Sequence, residues 1–423
     1  MILDGYDEKS AKALERALYH TPAYAAWRRF DPGPSSPIGA RYAALPFSDK
    51  AFMREAFPDG LVPYEKDLAK GLASGEIEHV STSGTTDEQV KNLWNQRWWD
   101  FSERSSWKLN SVLARVCTGD HREAILTSAR NVGPLDDSRD LPFESRRLLR
   151  FLFLNERSSP LLWDAGMVPR IAAELDRFQP QVLEANPSYL ARFAREACRL
   201  GLDVRQPEVV VFTYENPSLL HLRQIRRVFS APLVSSYGTT ETGYAFIQCE
   251  RGLFHLNMAA CRADLAALNG AADLSLLRLT PFENEWTALL RFDPGDIVRA
   301  EPSGACPCGR ESAVLLRSIE GRVKGLTYTA EGRPVTPAEL DRVLATELEL
   351  SSYQLLQTGR GRYKLTAVVE PERGNGAIDR LADLLVGLYG PGASAEVNGV
   401  PDIGPEPSGK YLTAKRDPSF TEV

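Results

Sequence analysis

Apolar and polar residues recur along the chain with two periods, and the switches between them outline its elements. Residues Asp7–Phe30 carry Leu14, Leu18 and Tyr19 on one stripe at helical spacing, so an amphipathic helix is predicted there, broken near Pro22. In LPFSDKAFMREAFPDGLVP (Leu45–Pro63), Ser48 can cap a short helix whose Phe47, Phe52 and Phe57 look inward, with a turn at Asp59–Gly60. Trp94, Trp98, Trp99, Phe101 and Trp107 crowd one segment at near-helical spacing and read mostly as core, with one or two free to line a flat apolar pocket. Helices are predicted over Val168–Phe178 and Pro187–Leu200, the second with Leu190, Phe193, Ala194 and Ala197 on one face and Gly201 as its stop. Glu208–Tyr214 (EVVVFTY) is a nearly continuous apolar run, which suits a buried parallel strand. A helix at His221–Phe229 and a strand at Pro232–Val234 follow.

Strands that alternate with helices predict an α/β fold, a sheet with both faces covered. Ligands on such sheets sit beyond the strand C-termini, where Glu215 and the turn SSYGTTETGY (Ser235–Tyr244) emerge. Nearer the end lies a smaller αβ pattern. Thr336, Pro337 and Glu339 read as a capping box that starts a helix to about Leu348. Tyr363–Val369 then reads as a strand, Ile378–Tyr389 as a helix and Ala393–Val397 as another strand.

Composition narrows the function classes. A chain of 423 residues exceeds one ordinary core, so two domains are expected. No run of about 18 apolar residues occurs, so no membrane-spanning helix is expected. The N-terminal stretch alternates acidic and basic residues without a signal-peptide core, and a cytoplasmic location is the expectation. The formal net charge of -6 argues against nucleic acid as a partner, since such binding needs a basic footprint.

Two hydroxyl-rich turns carry the candidate chemistry. In HVSTSGTTDEQVK, Ser81, Thr82, Ser83, Thr85 and Thr86 surround Gly84 after an apolar strand end, a loop able to wrap the β- and γ-phosphates of a nucleotide. No GKS or GKT closes it, so it is not a Walker loop. The second is SSYGTTETGY. There Gly238 and Gly243 let backbone amides approach phosphate oxygens, and Thr239, Thr240 and Thr242 can donate hydrogen bonds. Glu241 offers the hard oxygen that Mg2+ takes alongside phosphates, and Tyr237 is grouped with this nucleotide-binding turn.

Six cysteines are too few for a disulfide framework in so long a chain, and Cys306 and Cys308 stand too close to bridge. Cys249, His255 and the CPC pair match a tetrahedral Cys3His zinc site that would pin the intervening segment. The alternative, ordinary buried thiols, suits Cys117, Cys198 and Cys261 better. Further on, Asp296 follows a Pro-Gly turn, where a carboxylate serves either a ribose diol or a capped turn. Arg322 is a fixed cation suited to a phosphate or to a surface salt bridge. Lys410 stands on a Ser-Gly loop and is a solvated lysine unless that loop is delivered into a site.

The order of these features resembles the adenylate-forming superfamily of acyl-CoA ligases, luciferases and adenylation domains, and within it the phenylacetate-CoA ligase branch. The matching pieces are LPFSDKAFMREAFPDGLVP, STSGTT, PSYLARFAREACRLGL, SSYGTTETG, the Cys249/His255 and CPCGR pattern, FDPGD, IEGRVKG, GRPVTPAEL and PSGK. They run from near residue 45 to residue 410, in order, over almost the whole chain.

The resemblance implies a large N-terminal domain with mixed sheets covered by helices, residues 1–323, and a small mobile α+β domain, residues 324–423, joined at Lys324 as hinge. It implies that Ser81–Thr86 is the phosphate loop, that Thr240 and Glu241 serve the α-phosphate and Mg2+, and that Asp296 holds ribose. Arg322 would contact phosphate or ribose, and Lys410 would be the catalytic lysine. Of the branch's Gly-Ala-Glu-Pro motif under the adenine, only Glu215 is matched, since Tyr214 and Asn216 flank it. Asp87, Glu88 and Gln89 replace the Gly-Lys-Pro that usually follows the first loop, adding negative charge near the expected triphosphate, for which Lys91 could compensate. The implied activity is ATP-dependent activation of a carboxylic acid, aromatic by family analogy, and transfer to CoA, to a carrier protein's phosphopantetheine or to an amine. A catalytically weak regulatory relative is the rival reading, and a homodimer is compatible with either.

Overall fold

A computed structural model gives the fold and describes residues 2–81, 90–117, 119–370 and 376–418. The chain forms two compact units: Met1–Arg115 with Ser236–Leu268 and Asp273–Ser318, and Val116–Ser235 with Asn269–Ala272 and Ile319–Val423.

In the first unit the N-terminal helix spans Ile2–His20 and buries Leu14, Ala17 and Leu18. Tyr19, expected on that stripe, is exposed instead. Pro22 has no backbone N–H to continue the helix, so the chain passes into a 3-10 segment, Pro22–Phe30, that buries Tyr24 and Trp27. The short helix Lys50–Ala56 is capped by Asp49, whose carboxylate accepts from the Phe52 amide at 2.8 Å, and not by Ser48. The Ser48 hydroxyl donates to the Leu290 carbonyl in the core, at 2.9 Å. Phe52 and Phe57 pack on that core, whereas Phe47 is exposed under the Arg278 guanidinium, 4.1 Å from the ring centre. Trp98 and Trp107 are buried, as expected for core tryptophans. The strands Cys261–Leu268, Ala271–Pro281, Asp296–Ala300, Leu315–Arg322, Phe254–Leu256 and Gly243–Gln248 lie side by side in that order.

The second unit holds the parallel strands. Glu123–Leu126, Val182–Ala185 and Val209–Phe212 pair in register, and Leu233 begins the next. Phe151–Phe153 adds in parallel beyond Glu123–Leu126, and Arg147–Leu148 closes the edge antiparallel. Val209 to Phe212 are all buried, as the apolar run predicts. The helices Met167–Phe178 and Pro187–Arg199 cover one face, meeting it through Ile171, Leu175, Leu190 and Phe193. The next helix is Leu219–Ile225, shorter and earlier than the predicted His221–Phe229. Its start is fixed by a reciprocal cap between Ser218 and the His221 ring, a role sequence patterns usually give to Glu or Gln.

The C-terminal third of this unit is a four-strand sheet in the order Ser394–Gly399, Arg362–Val369, Leu350–Gly359, Ala414–Arg416, with the helices Pro337–Leu344 and Ala377–Tyr389. Thr336 accepts from the Glu339 amide at 3.0 Å, but the Glu339 carboxylate pairs with Arg333, so only half the capping box forms. That helix stops at Leu344 rather than near Leu348, which is 70% exposed. The sheet docks on the helix Leu219–Ile225. Arg223 donates to the carbonyls of Ala345, Glu347 and Leu350, Gln224 donates to that of Ser351, and Asp341 accepts the Leu219 amide. Among the described residues no helix is long and apolar enough to cross a membrane.

Candidate functional site

The segment SSYGTTETGY is not a free turn but a hairpin. Leu233–Thr239 is a strand, Gly243–Gln248 its antiparallel partner, and only Thr240 to Thr242 turn between them. The turn is closed by the Thr242 amide on the Thr239 carbonyl (3.2 Å) and by contact of their hydroxyls at 3.0 Å. Gly238 is required because a Cβ there would stand 2.4 Å from the Gly243 carbonyl oxygen. Thr240 is half-buried, and Glu241 is buried at 5% exposure. Among the described residues the Glu241 carboxylate has no hydrogen-bond or ion-pair partner. A carboxylate presented by a turn between two strands offers the hard oxygen that a divalent cation takes, so Glu241 fits a metal ligand.

Tyr237, on the same hairpin, donates its hydroxyl to Asp296 Oδ2 at 2.7 Å. The Pro-Gly turn before Asp296 is capped by Asp293, whose Oδ1 accepts the Gly295 amide at 2.8 Å. Sequence left Asp296 with two uses, and the neighbouring aspartate takes the capping one. Ser81 is the exposed end of the strand Glu78–Ser81, while Thr82, Ser83, Gly84, Thr85 and Thr86, with Asp87 to Gln89, lie outside the described residues.

In the second unit, the PSGK loop is seated at the C-terminal ends of the parallel strands. The Tyr411 amide donates to Glu215 Oε1 at 2.7 Å, and Gly409 packs so closely on Ser128 that a Cβ would approach its side chain to 2.8 Å. Glu215 Oε2 accepts from the Ser188 hydroxyl at 2.8 Å. Burial raises the Glu215 carboxyl above the usual range, and the Tyr411 amide, Ser188 and the nearby Lys410 charge counter it. Arg322 is half-buried at the end of the strand Leu315–Arg322, and Lys324 is exposed in the 3-10 turn Val323–Gly325 that follows.

A polar network under these strands escaped the sequence reading. Glu123 and Glu184 are buried on the face opposite the apolar one. Arg150 donates to Glu123 at 2.8 Å, and the Thr213 hydroxyl donates to Glu184 at 2.8 Å. Burial first, and then the neighbouring Glu123, push Glu184 up to about 8, while the Tyr214 phenol is raised by burial and by Glu184. The signal was present in sequence: glutamates inside the otherwise apolar runs EAIL and VLEA.

Cys249, His255, Cys306 and Cys308 converge in the first unit, their ligand atoms all within 4.8 Å of one another. Cys249 Sγ lies 3.6 Å from Cys306 Sγ, and Cys308 Sγ 3.4 Å from His255 Nε2. Bonds of about 2.3 Å to sulfur and about 2.0 Å to nitrogen give a tetrahedron with edges of roughly 3.5–3.8 Å. The four groups therefore fit a zinc ion with little movement. Arg310 and Glu250 pair in two hydrogen bonds (2.7 and 2.9 Å) and tie the two ligand-bearing loops together. Cys117, Cys198 and Cys261 stand outside the cluster; Cys261 is the buried thiol expected, whereas Cys117 is half-buried and Cys198 is exposed, on the outer face near the end of its helix.

No family model and no curated protein matches the chain. Among solved structures it is similar to 2-hydroxyisobutyryl-CoA ligase in the postadenylation state in complex with R3-HIB-AMP, with a TM-score of 0.73 and 15% identity, over 98% of this chain and 89% of that one. It is similar also to the amide bond synthetase McbA from Marinactinospora thermotolerans (TM-score 0.54, 12% identity, 79% of this chain and 68% of that one). A benzoate CoA ligase from Burkholderia xenovorans LB400 aligns at TM-score 0.53 and 14% identity, over 82% of this chain and 69% of that one. At these identities the likeness is one of fold. The mixed α/β fold expected from the sequence motifs is the fold found.

Proposed function

We propose that the protein is an AMP-forming ligase that activates a carboxylic acid with ATP and passes the acyl group to a thiol. The observation that carries this reading is the seating of the PSGK loop: Lys410, a lysine on a tail segment, is held beside Glu215 at the strand ends where ligands of α/β sheets bind. Glu241, at the turn of the hairpin, and the Tyr237–Asp296 pair support it from the other unit.

In this mechanism the substrate carboxylate, already ionised at neutral pH, attacks the α-phosphorus of ATP and pyrophosphate leaves, so no general base is required. The Lys410 ammonium stabilises the charge that develops on the pentacoordinate phosphorus. Asp296, oriented by Tyr237, accepts from the ribose hydroxyls, and Thr240 donates to the α-phosphate. Magnesium, held by Glu241, supplies charge neutralisation of the phosphates when bound. Ser81–Thr86 is assigned to the β- and γ-phosphates and Arg322 to phosphate or ribose, both on the resemblance.

The domain boundary is proposed at residues 323 and 324, with Lys324 as hinge. Rotation there withdraws Lys410 and brings the Gly332 region to the incoming thiol. We assign CoA or a carrier protein's phosphopantetheine as acceptor, an aromatic acid as substrate in line with the phenylacetate-CoA ligase branch, a cytoplasmic location, and a structural zinc at Cys249, His255, Cys306 and Cys308. An amine acceptor is the second reading, prompted by the fold shared with an amide bond synthetase. The test is turnover: incubation with ATP, a panel of aryl and aliphatic acids, and CoA should yield AMP and one acyl-CoA by mass spectrometry. AMP formed with an added amine but with no thiol would favour the second reading, and no AMP with any acid would reject both.

A further inference from the structure

We propose that Glu215 is a positioning residue for Lys410, a clasp that holds the lysine-bearing loop in its working place, rather than a nucleotide contact. This rests on the function proposed above.

Both Glu215 oxygens are already committed to the protein. Oε1 accepts the Tyr411 amide, one residue after Lys410, and Oε2 accepts the Ser188 hydroxyl. Ser188 is itself fixed in the first turn of the helix Pro187–Arg199, where Asn186 accepts its amide at 2.9 Å. Glu215 therefore joins the start of that helix to the tail loop.

The local backbone is built for this task. The Glu215 amide donates back to the Thr213 carbonyl at 2.8 Å across Tyr214, whose φ of 70° lies in the left-handed region. An i to i+2 bond across a positive-φ residue is a γ-turn of the rare, strained kind, and a tyrosine has no glycine-like freedom to adopt it. Strain of this sort persists where surrounding contacts fix it, and here the Tyr214 phenol is engaged by Glu184. The turn sets where Glu215 stands.

The loop it receives is preformed. The Glu406 amide donates to the Lys410 carbonyl and the Gly409 amide to the Glu406 carbonyl, both at 2.8 Å, so residues 406 to 410 close on themselves. Gly409 meets Ser128 at a distance no side chain would allow, and Arg192 pairs with Asp402 just upstream. The loop thus arrives as one piece, fastened at its Tyr411 end by a single carboxylate.

The test compares Glu215→Gln and Glu215→Ala with the parent, all full-length. Without ligands, hydrogen exchange of the 404–412 amides should speed up at least tenfold in Glu215→Ala and less in Glu215→Gln, which keeps one acceptor oxygen. The amides of Val182–Ala185 should stay protected in both and thereby report that the variants fold; if Glu215→Ala does not fold, Glu215→Gln decides. With the acid that supports exchange in the parent, the kcat of ATP–pyrophosphate exchange should fall at least tenfold in Glu215→Ala, with KM for ATP within twofold. Unchanged amide exchange in a folded variant, or a raised KM for ATP at unchanged kcat, would overturn the clasp. Absence of exchange activity in the parent would count against the ligase reading instead, and the amide measurement would still judge the clasp.

Discussion

The Tyr237 hydroxyl donates to Asp296 Oδ2 at 2.7 Å, joining a strand of the hairpin to a strand start 59 residues later in sequence. Asp293 caps the intervening turn, and Tyr237 is one of the groups that orient Asp296. Losing one hydrogen bond to a charged group costs about 1.5–3 kcal/mol. Asp296→Ala should therefore raise KM for ATP by ten- to a hundredfold, and Tyr237→Phe by a few-fold, in steady-state kinetics with ATP varied. Equal effects on kcat alone would contradict a ribose-binding role.

The cysteine cluster makes a stoichiometric prediction. Elemental analysis of the purified protein should give about one zinc per chain, and Cys306→Ser should bring it below half. Four ligand atoms within 4.8 Å of one another tie the loop of Cys306 and Cys308 to the strand of His255. Metal removal by a chelator should accordingly lower the melting temperature by several degrees. Zinc content unchanged in Cys306→Ser would remove the site.

Glu184 predicts a pH dependence of stability. Its carboxyl is pushed up to about 8 from an ordinary 4.5, by burial and then by Glu123. A raised acid contributes stability that is complete below the unfolded value and is lost as pH climbs through the folded one. Between about pH 5 and 8 the parent should lose up to about 1.4 kcal/mol per pH unit from this residue. Glu184→Gln, which keeps the neutral form at every pH, should melt progressively higher than the parent as pH rises from 5.5 to 8.5. Melting curves that stay parallel across that range would show that Glu184 is not the group involved.

A fourth outcome concerns a buried ion pair. Arg146, 1% exposed, donates to Glu174 and to the carbonyls of Phe153 (2.8 Å) and Leu141 (3.1 Å). Arg146→Ala leaves the Glu174 carboxylate with the longer Arg170 contact at 3.7 Å and should cost about 3 kcal/mol. The double variant Arg146→Met with Glu174→Leu should recover most of that loss, as measured by denaturant unfolding.

Much of this was legible in the chain because its signals were local. The run EVVVFTY read as a buried parallel strand, and Val209–Phe212 is one. Cys249, His255 and the CPC pair read as one cluster, and they converge. What sequence missed depended on partners distant in the chain. Ser48 looked like a cap, but Asp49 does that work and Ser48 turns to Leu290. The strand Leu350–Gly359 alternates buried and half-buried residues, yet Ser351 and Gln357 on buried positions and Leu356 on an outer one hid the pattern, behind a helix expected to reach Leu348. Glu215 was legible as a carboxylate beyond a strand end, while its bond to the Tyr411 amide, 196 residues away, was not. A hydrogen bond to a backbone amide leaves no trace in residue identity.

The central claim is that Lys410 assists attack of a carboxylate on the α-phosphate of ATP, and ATP–pyrophosphate exchange measures that step alone. The parent protein should exchange labelled pyrophosphate into ATP only when its acid is present, and Lys410→Ala should reduce the rate at least a hundredfold while KM for ATP changes little. Exchange that needs no acid, or that survives in Lys410→Ala at the parent rate, would contradict the account.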